Sequence, residues 1–578
     1  MMKKLMLGNE AIARGAYEAG VHVVSSYPGT PSTEITEFIA KYDEIYAEWA
    51  PNEKVAVEVA SGAAIAGGRA LSAMKHVGVN VAADPLFTMS YIGVNGGLVL
   101  CVADDPGMHS SQNEQDSRNY AVAAKVPMLE PADSQECCDF VKQAFEISEA
   151  YDTPVMVRLT TRVAHSQSEV ILSPRAEIPV KAYEKNAAKN VMVPANARPK
   201  HVVVEERMNA LSEAGNTSSL NRVELQDTKI GIITAGIAYQ YAREAFPDAS
   251  FLKLGMIHPL PKKLIADFVS KVDVCYVIEE LDPVLERQIK AMSLSVRGKE
   301  LLTEIGEYSA SLLREKLADM QSKPVYEVEE TIPVRPPVMC PGCSHRGVFY
   351  VLNKLKLAVS GDIGCYSLGY AKPLDSMDSI ICMGASISGL HGMEKAQGRK
   401  FAEKSVAVLG DSTFLHSGVT GLMNMVYNKS TSTVIILDNS ITGMTGHQDN
   451  PATGFTVKGE TTRQVDLKQL CHGVGVDLVT VADPFDIDNF EKVVKMHLAA
   501  EEPSVIIAQR PCALLKKAGY TGCCTITDAC KNCKMCMKLG CPAISMTDQG
   551  PVIDETLCNG CGLCEHVCKF GAIVQKKS

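Results

Sequence analysis

Cysteine spacing near the C-terminus constrains this chain more than any other feature. Cys530, Cys533 and Cys536 recur with two residues between them and are followed by Cys541 and Pro542; Cys558, Cys561 and Cys564 repeat the pattern and end at Cys568. Two such runs hold two iron-sulfur clusters when the fourth cysteine of each run ligates the cluster of the other. The expected sets are therefore Cys530, Cys533, Cys536 and Cys568 for one [4Fe-4S] cluster, and Cys541, Cys558, Cys561 and Cys564 for the second. Two departures matter: four residues separate Cys536 from Cys541 where three is usual, and Lys569 follows Cys568 in place of proline. A pair of zinc ribbons is the alternative, because CxxC pairs also bind zinc. Two CxxCxxC triplets favour iron. Gly540, Gly560, Gly562 and Gly571 let backbone N–H groups approach sulfur, which tunes the potential.

The rest of the chain must then be read as whatever feeds or drains those clusters. A length of 578 residues exceeds what one hydrophobic core organises, so about three to five domains are expected. A net charge of -10 argues against nucleic acid as the main ligand, since phosphate contacts need a basic surface. Met1 to Leu7 is too short in apolar character for a secretory signal, and no apolar run approaches the roughly 20 residues that span a bilayer. No membrane contact and a cytoplasmic location are expected, with the scattered cysteines reduced.

Helix and strand alternate from Lys3 to about Ser173, which is doubly wound α/β grammar. Gly8 to Ala19 reads as a helix, Val21 to Ser25 as a strand, Val55 to Met74 as one long helix of small residues, and Leu98 to Ala103 as a buried strand. Residues 174–228 lose the rhythm, with Pro174, Pro179, Pro194 and Pro199 and a polar stretch at Gly215 to Ser219, and read as a connector. A smaller α/β unit follows over 229–322, with strands Ile230 to Thr234, Phe251 to Leu254 and Val274 to Glu279 and a helix Ala238 to Ala245. Ser322 to Val338, containing Pro324, Pro333, Pro336 and Pro337, disfavours both helix and sheet interior; residues 323–338 are read as a linker. Residues 339–515 resume the alternation, with strands Ser405 to Leu409, Thr433 to Leu437 and Ser504 to Gln509. Residues 516–578 are the cysteine-rich tail.

Gly410-Asp411-Ser412 stands directly after an apolar strand and opens a helix expected to begin near Ser417, while Asp438-Asn439 ends the next strand. Such a strand-to-helix turn presents N–H groups and the positive end of a helix to a diphosphate. The polar tips can share Mg2+, an octahedral cation that takes oxygen ligands and keeps water and phosphate oxygens. Asp411, Asn439 and one carbonyl are the candidate ligands, with Gly410, Ser412 and Ile441 as further cofactor contacts. A turn-forming or N-capping aspartate is the plainer alternative. The pairing resembles the GDG…N motif of thiamine diphosphate enzymes, with Ser412 in place of the last glycine. Thiamine activation needs a carboxylate against an aminopyrimidine nitrogen. Glu58, heading the run Glu58-Val59-Ala60-Ser61-Gly62-Ala63-Ala64, is the candidate, and a surface glutamate capping that helix is the alternative.

Taken together, the markers resemble the large subunits of indolepyruvate ferredoxin oxidoreductases, a family within the 2-oxoacid:ferredoxin oxidoreductase superfamily. They are Tyr27-Pro28-Gly29-Thr30-Pro31-Ser32, the Glu58 helix, Asp105-Pro106-Gly107, Ser111-Gln112-Asn113-Glu114-Gln115-Asp116, Cys340-Pro341-Gly342-Cys343-Ser344-His345-Arg346, Gly410-Asp411-Ser412, Thr442-Gly443-Met444-Thr445-Gly446-His447-Gln448 and the tail. The resemblance spans every domain. It implies an α/β chain with a pyrimidine-binding thiamine domain (1–173), a transketolase C-terminal-like domain (229–322), a diphosphate-binding thiamine domain (339–515) and a ferredoxin-like domain with two [4Fe-4S] clusters (516–578).

The same resemblance implies oxidative decarboxylation of an arylpyruvate such as indole-3-pyruvate, with CoA as co-substrate and external ferredoxin as acceptor, in anaerobic aromatic amino acid catabolism. A smaller beta subunit is expected to complete a heterotetramer of two large and two small chains. Glu58 becomes the aminopyrimidine activator and Thr30 a contact to the substrate's carboxylate or carbonyl, with Arg118 and His447 as weaker candidates for substrate contact. Cys340, Cys343, Cys365 and Cys512 resemble the ligands of a third cluster close to thiamine; four unligated core cysteines are the alternative. A thiamine enzyme acting on another class of 2-oxo acid, or a nonoxidative decarboxylase, stays open, although the latter has no need of clusters.

Overall fold

The computed structural model describes residues 2–318 and 330–576; Ser322 and Pro324, expected in the linker, lie outside the described residues. The chain divides into two units, Met1–Glu329 and Glu330–Ser578.

In the N-terminal unit, strands β1 (Val23–Ser26), β2 (Tyr46–Trp49), β3 (Ala70–Lys75), β4 (Leu98–Asp104), β5 (Met128–Leu129), β6 (Val155–Thr160) and β7 (Met256–His258) form one sheet. Their spatial order is β7-β5-β6-β4-β3-β1-β2. Neighbours run parallel except β7, which lies antiparallel to β5. All seven residues of β4 are buried, and such continuous burial goes with a parallel sheet covered on both faces. A second sheet has the strand order Val274–Ile278, Asp227–Ala235, Ala249–Leu254, Arg222–Glu224.

Two sequence expectations are corrected here. The run Val55 to Met74 is a helix, Glu53–Ile65, followed by strand β3. A run of small residues carries no period by which to separate helix from strand, and the break falls at Gly67, whose φ of +102° suits only glycine. The stretch 174–228 is more than a connector, for Pro194–Gly215 is a 22-residue helix. Pro194 occupies its first turn, where no N–H is needed. Only a narrow stripe through Val204, Arg207, Met208 and Leu211 is buried, so the helical period is faint in the sequence. Arg207 ties the helix down by donating to the carbonyls of Asp152 (2.9 Å) and Ser90 (2.5 Å).

The two sheets of this unit are joined by buried charge. Arg118 donates to Asp116 (2.5 Å), to Glu279 (2.5 Å) and to the carbonyls of Glu280 (2.7 Å) and Asp282 (2.9 Å). Arg158 donates to Asp104 (2.6 Å) and Glu130 (2.5 Å). Removing one member of such a set strands its partner without a counter-charge, which is costly.

In the C-terminal unit, β8 (Ala358–Ser360), β9 (Ser405–Gly410), β10 (Thr433–Asp438), β11 (Leu478–Ala482) and β12 (Ser504–Gln509) form a parallel sheet in the order β8-β9-β10-β12-β11. The tail adds two antiparallel pairs, Cys523–Ile526 with Ile573–Lys576 and Ile544–Thr547 with Gly550–Ile553. Leu539, Ile544 and Leu563 of the tail share one hydrophobic cluster with Val348, Phe349 and Ile506. Among the described residues no helix is long and apolar enough to cross a membrane.

Glu280 gives a test of the N-terminal unit. Burial raises its carboxyl to about 7, although the Tyr308 N–H donates to it at 2.8 Å. An acid raised in this way holds its proton in the folded chain after the unfolded chain has lost it. Stability therefore falls as pH rises from about 4.5 to about 7, by on the order of 3 kcal/mol. Glu280→Gln keeps the acceptor and removes the titration. The variant should melt several degrees above the parent at pH 8 and at the parent's temperature at pH 4.5, as scanning calorimetry reads it.

Candidate active site

Strand ends β9 and β10 place two acids side by side in the C-terminal unit. A helical turn starts at Asp411 itself, earlier than the Ser417 start expected from sequence, and passes through a π-helical turn, Phe414–Gly418, into the helix Val419–Tyr427. Insertions of that kind concentrate at functional sites. Asp411 Oδ1 accepts from the Ser412 N–H at 2.7 Å, while Oδ2 is buried with no hydrogen-bond partner. Burial first, and then the charge of Asp438, push the Asp411 carboxyl up to about 8. Asp438 accepts from the Ser440 N–H (3.0 Å) and from Gln509 Nε2 (2.8 Å). Asn439 Oδ1 accepts from the Ile441 N–H at 3.2 Å. An orphaned carboxylate oxygen beside a second acid and an amide oxygen suits a divalent cation that takes oxygen ligands. Gly410 pairs with Leu437 at the end of the β9–β10 register, so the Asp411–Ser412 turn and the loop from Asp438 through Asn439 to Ile441 leave the sheet side by side.

A line of cysteines leads away from this point. The Cys512 N–H donates to the Asn439 carbonyl at 2.9 Å, and Cys512 Sγ lies 3.9 Å from His447 Nε2. Burial raises the Cys365 thiol to about 11, with Cys512 and Cys340 adding to it. Burial likewise raises Cys343 to about 12, with Cys365 and Cys340 among the charges it feels. The structure therefore brings the four candidates Cys340, Cys343, Cys365 and Cys512 into one neighbourhood beside the acids.

The tail encloses two cavities. Cys541, Cys558, Cys561 and Cys564 line one, together with Pro341 and Gly342. Cys530, Cys533, Cys536 and Cys568 line the other. The Cys524 N–H donates to Cys558 Sγ and the Ala572 N–H to Cys568 Sγ, each at 3.3 Å. Backbone N–H···S contacts of this kind tune a cluster's potential. Cys524 is a ninth thiol on the wall of the first cavity, and no spacing rule in the sequence pointed to it.

In the N-terminal unit, the chain leaving β1 turns towards β2 and the chain leaving β3 turns towards β4, opening a crevice between the two strand ends. Ligands of open α/β sheets bind at such switch points. The Tyr27–Ser32 loop follows β1 there, and the Thr30 carbonyl accepts from Ser110 Oγ at 3.4 Å. Lys75 ends β3 and donates to the Ser110 carbonyl at 3.0 Å. Its stem runs along Gly29, where a Cβ would come within 3.2 Å of it. Lys75 was missed from sequence because a lone lysine ending a strand has no signature. Glu58 lies on the exposed face of its helix, its side chain 46% exposed and paired with Lys54. It does not cap that helix; Asn52 does, accepting from the Val55 N–H at 2.9 Å. Arg118, a candidate for substrate contact, is 2% exposed and engaged by buried carboxylates and carbonyls, so the structure makes it a tie between sheets.

Comparison with known proteins agrees with this geometry. Residues 14–220 match the family model for pyruvate flavodoxin/ferredoxin oxidoreductase, thiamine diphosphate-binding. Residues 362–508 match the C-terminal TPP-binding domain of thiamine pyrophosphate enzymes, and residues 551–574 match a 4Fe-4S binding domain. Indolepyruvate oxidoreductase subunit IorA of Archaeoglobus fulgidus is 40% identical over 100% of this chain and 98% of its own length. The chain belongs to the IorA family of indolepyruvate oxidoreductase subunits. The IorA subunit of Pyrococcus horikoshii is 39% identical over 99% of this chain and 96% of its own. A solved 2-oxoglutarate:ferredoxin oxidoreductase from Magnetococcus marinus aligns with a TM-score of 0.47 at 18% identity, covering 55% of this chain and 65% of that one. As an IorA-family member, the chain is an iron-sulfur, thiamine diphosphate-dependent oxidoreductase of 2-oxo acids linked to ferredoxin.

Asp411→Asn tests the cation site. It keeps the shape and the bond from Ser412 but removes the charge, so affinity for thiamine diphosphate in the presence of Mg2+ should fall by about tenfold or more. Iron content should not change. Equilibrium dialysis with an iron assay reads both, and unaltered affinity would remove Asp411 from the site.

Proposed function

We propose that this chain is the catalytic subunit for oxidative decarboxylation of arylpyruvates. Indole-3-pyruvate, CoA and two oxidised ferredoxins give indol-3-ylacetyl-CoA, carbon dioxide, a proton and two reduced ferredoxins. The substrate class rests on the relatives named indolepyruvate oxidoreductase, at 39 to 40% identity across the chain. The single observation that carries the redox half is the line of groups from buried Asp411 through half-buried Cys512 and Cys365 and exposed Cys340 to the Pro341–Gly342 wall of a tail pocket. A nonoxidative decarboxylase has no use for such a line.

Thiamine diphosphate, when bound, supplies the electron sink that lets a 2-oxo acid lose carbon dioxide. Asp411, Asn439 and one carbonyl would hold Mg2+ for its diphosphate, with Gly410, Ser412 and Ile441 as cofactor contacts. Glu58 activates the aminopyrimidine by holding a proton at a ring nitrogen, and Thr30 orients the substrate's carboxylate or carbonyl. Both tail sets hold [4Fe-4S] clusters, and Cys340, Cys343, Cys365 and Cys512 hold a third. Clusters held by these cysteines would supply one-electron transfer towards external ferredoxin. A smaller subunit completes a heterotetramer of two large and two small chains, located in the cytoplasm. The domain divisions at 173, 229, 322, 339 and 516 belong to the same reading.

The test is an anaerobic assay of the chain with its small subunit, comparing arylpyruvates, pyruvate and 2-oxoglutarate with CoA and ferredoxin. Arylpyruvates should give the highest kcat/KM. Glu58→Ala should lower ferredoxin reduction at least about a hundredfold with cluster absorbance intact. Three clusters correspond to about twelve irons per chain and two to about eight. Equal turnover of pyruvate would overturn the substrate reading, an active Glu58→Ala the role of Glu58, and about eight irons in fully loaded protein the third cluster.

A further inference from the structure

Among the described residues, Arg346 is a buried cation with no carboxylate at ion-pair distance. It is 2% exposed, and its donors go to main-chain carbonyls. Nη1 reaches Leu539 O at 2.9 Å and Gly540 O at 2.6 Å, Nε reaches Cys340 O at 3.2 Å, and Nη2 reaches Met339 O. Its fork therefore grips the start of the Cys340–Cys343 loop on one side and the tail on the other. Arg118 and Arg158 differ, each holding two carboxylates at 2.6 Å or less; Arg207 also donates to main-chain carbonyls, but there the charge that reaches it is the Asp152 carboxylate. The side chains with the largest electrostatic influence on Arg346 are thiols, Cys343, Cys541, Cys340 and Cys561. Arg346 also lines the cavity of Cys541, Cys558, Cys561 and Cys564.

A guanidinium buried among carbonyls alone is poorly compensated, because dipoles do not replace a counter-ion. Four thiolates around a [4Fe-4S] core leave a net charge of about -2, and about -3 once an electron arrives. That charge is what the position requires. Asn559 supports the same junction by donating to the Pro341 carbonyl at 2.9 Å. Gly342 completes it, since a Cβ there would lie 2.5 Å from Asn559.

We propose that Arg346 is the counter-charge of the cluster held by Cys541, Cys558, Cys561 and Cys564, and the positioning residue that fixes the Cys340–Cys343 loop against it. The inference rests on the reading that the tail holds iron-sulfur clusters. Reduction at this cluster takes up one electron from the 2-oxo acid side and passes one to external ferredoxin, and no proton moves, because a guanidinium does not titrate in this range. The reduced cluster gains more from the fixed positive charge than the oxidised one, so Arg346 raises its potential. The cluster of Cys530, Cys533, Cys536 and Cys568, whose cavity Arg346 does not line, is left unchanged.

Arg346→Gln and Arg346→Lys separate charge from geometry. Each variant is prepared under oxygen-free conditions as the full chain with its small subunit, assayed for iron, and followed by EPR during redox titration. Arg346→Gln should lower the midpoint potential of one tail cluster and leave the other where it is, whereas Arg346→Lys should stay near the parent. Loss of iron in Arg346→Gln but not in Arg346→Lys would also support the charge role. The proposal is overturned if Arg346→Gln keeps both potentials, or if the two variants shift or lose iron alike. Absence of any iron signal in the parent would instead refute the cluster reading of the tail, and that is known before either variant is compared.

Discussion

A carboxylate held dry at a strand end governs the C-terminal unit. Asp411 spends one oxygen on the Ser412 N–H and leaves the other buried with no donor, next to Asp438. Two acids packed together in a low-dielectric pocket repel unless one keeps a proton or a cation joins them. The neighbouring Asn439 and the onset of a helix at Asp411 favour the second outcome when a diphosphate is bound. The same crevice is tied to Cys512 through one hydrogen bond, from the Cys512 N–H to the Asn439 carbonyl. A shift of the loop after β10 is therefore felt at a cysteine.

The arrangement continues into the tail by the same logic of buried charge. Arg346 binds Met339 and Cys340 on one side and Leu539 and Gly540 on the other. Leu539, Ile544 and Leu563 pack into the hydrophobic cluster that includes Phe349. The tail is held by apolar burial together with a charge that thiolates around iron would balance. In the N-terminal unit the comparable device is conventional, with Arg118 and Arg158 facing carboxylates. The contrast between these three arginines is the physical reason for assigning Arg346 a separate task.

The sequence carried these features unevenly. Cysteine spacing is a direct record of metal geometry, which is why the two tail sets could be written down before any fold and why they line two separate cavities. Strands β9, β10 and β12 were legible because they are buried on both faces and read as unbroken apolar runs. The strand β3 was not, since its alanines and serine continue the small-residue run of the preceding helix and only Gly67 marks the break. The helix Pro194–Gly215 was hidden by its polar surface and its prolines. Arg118 drew attention as a polar residue in a loop, and only the fold shows that it is consumed by buried acids contributed in part from residues 279–282. Lys75 and Cys524 needed the fold altogether, because their meaning lies in what they stand beside.

One claim joins the parts: electrons released from a 2-oxo acid at the thiamine site leave through iron in the same chain. It is tested most directly by mixing the anaerobic holoenzyme and its small subunit with indole-3-pyruvate and CoA, in the absence of external ferredoxin, while following cluster absorbance and carbon dioxide. The account predicts bleaching of the clusters in step with carbon dioxide release, and recovery of the absorbance when oxidised ferredoxin is added. Carbon dioxide released with the clusters still oxidised would contradict it.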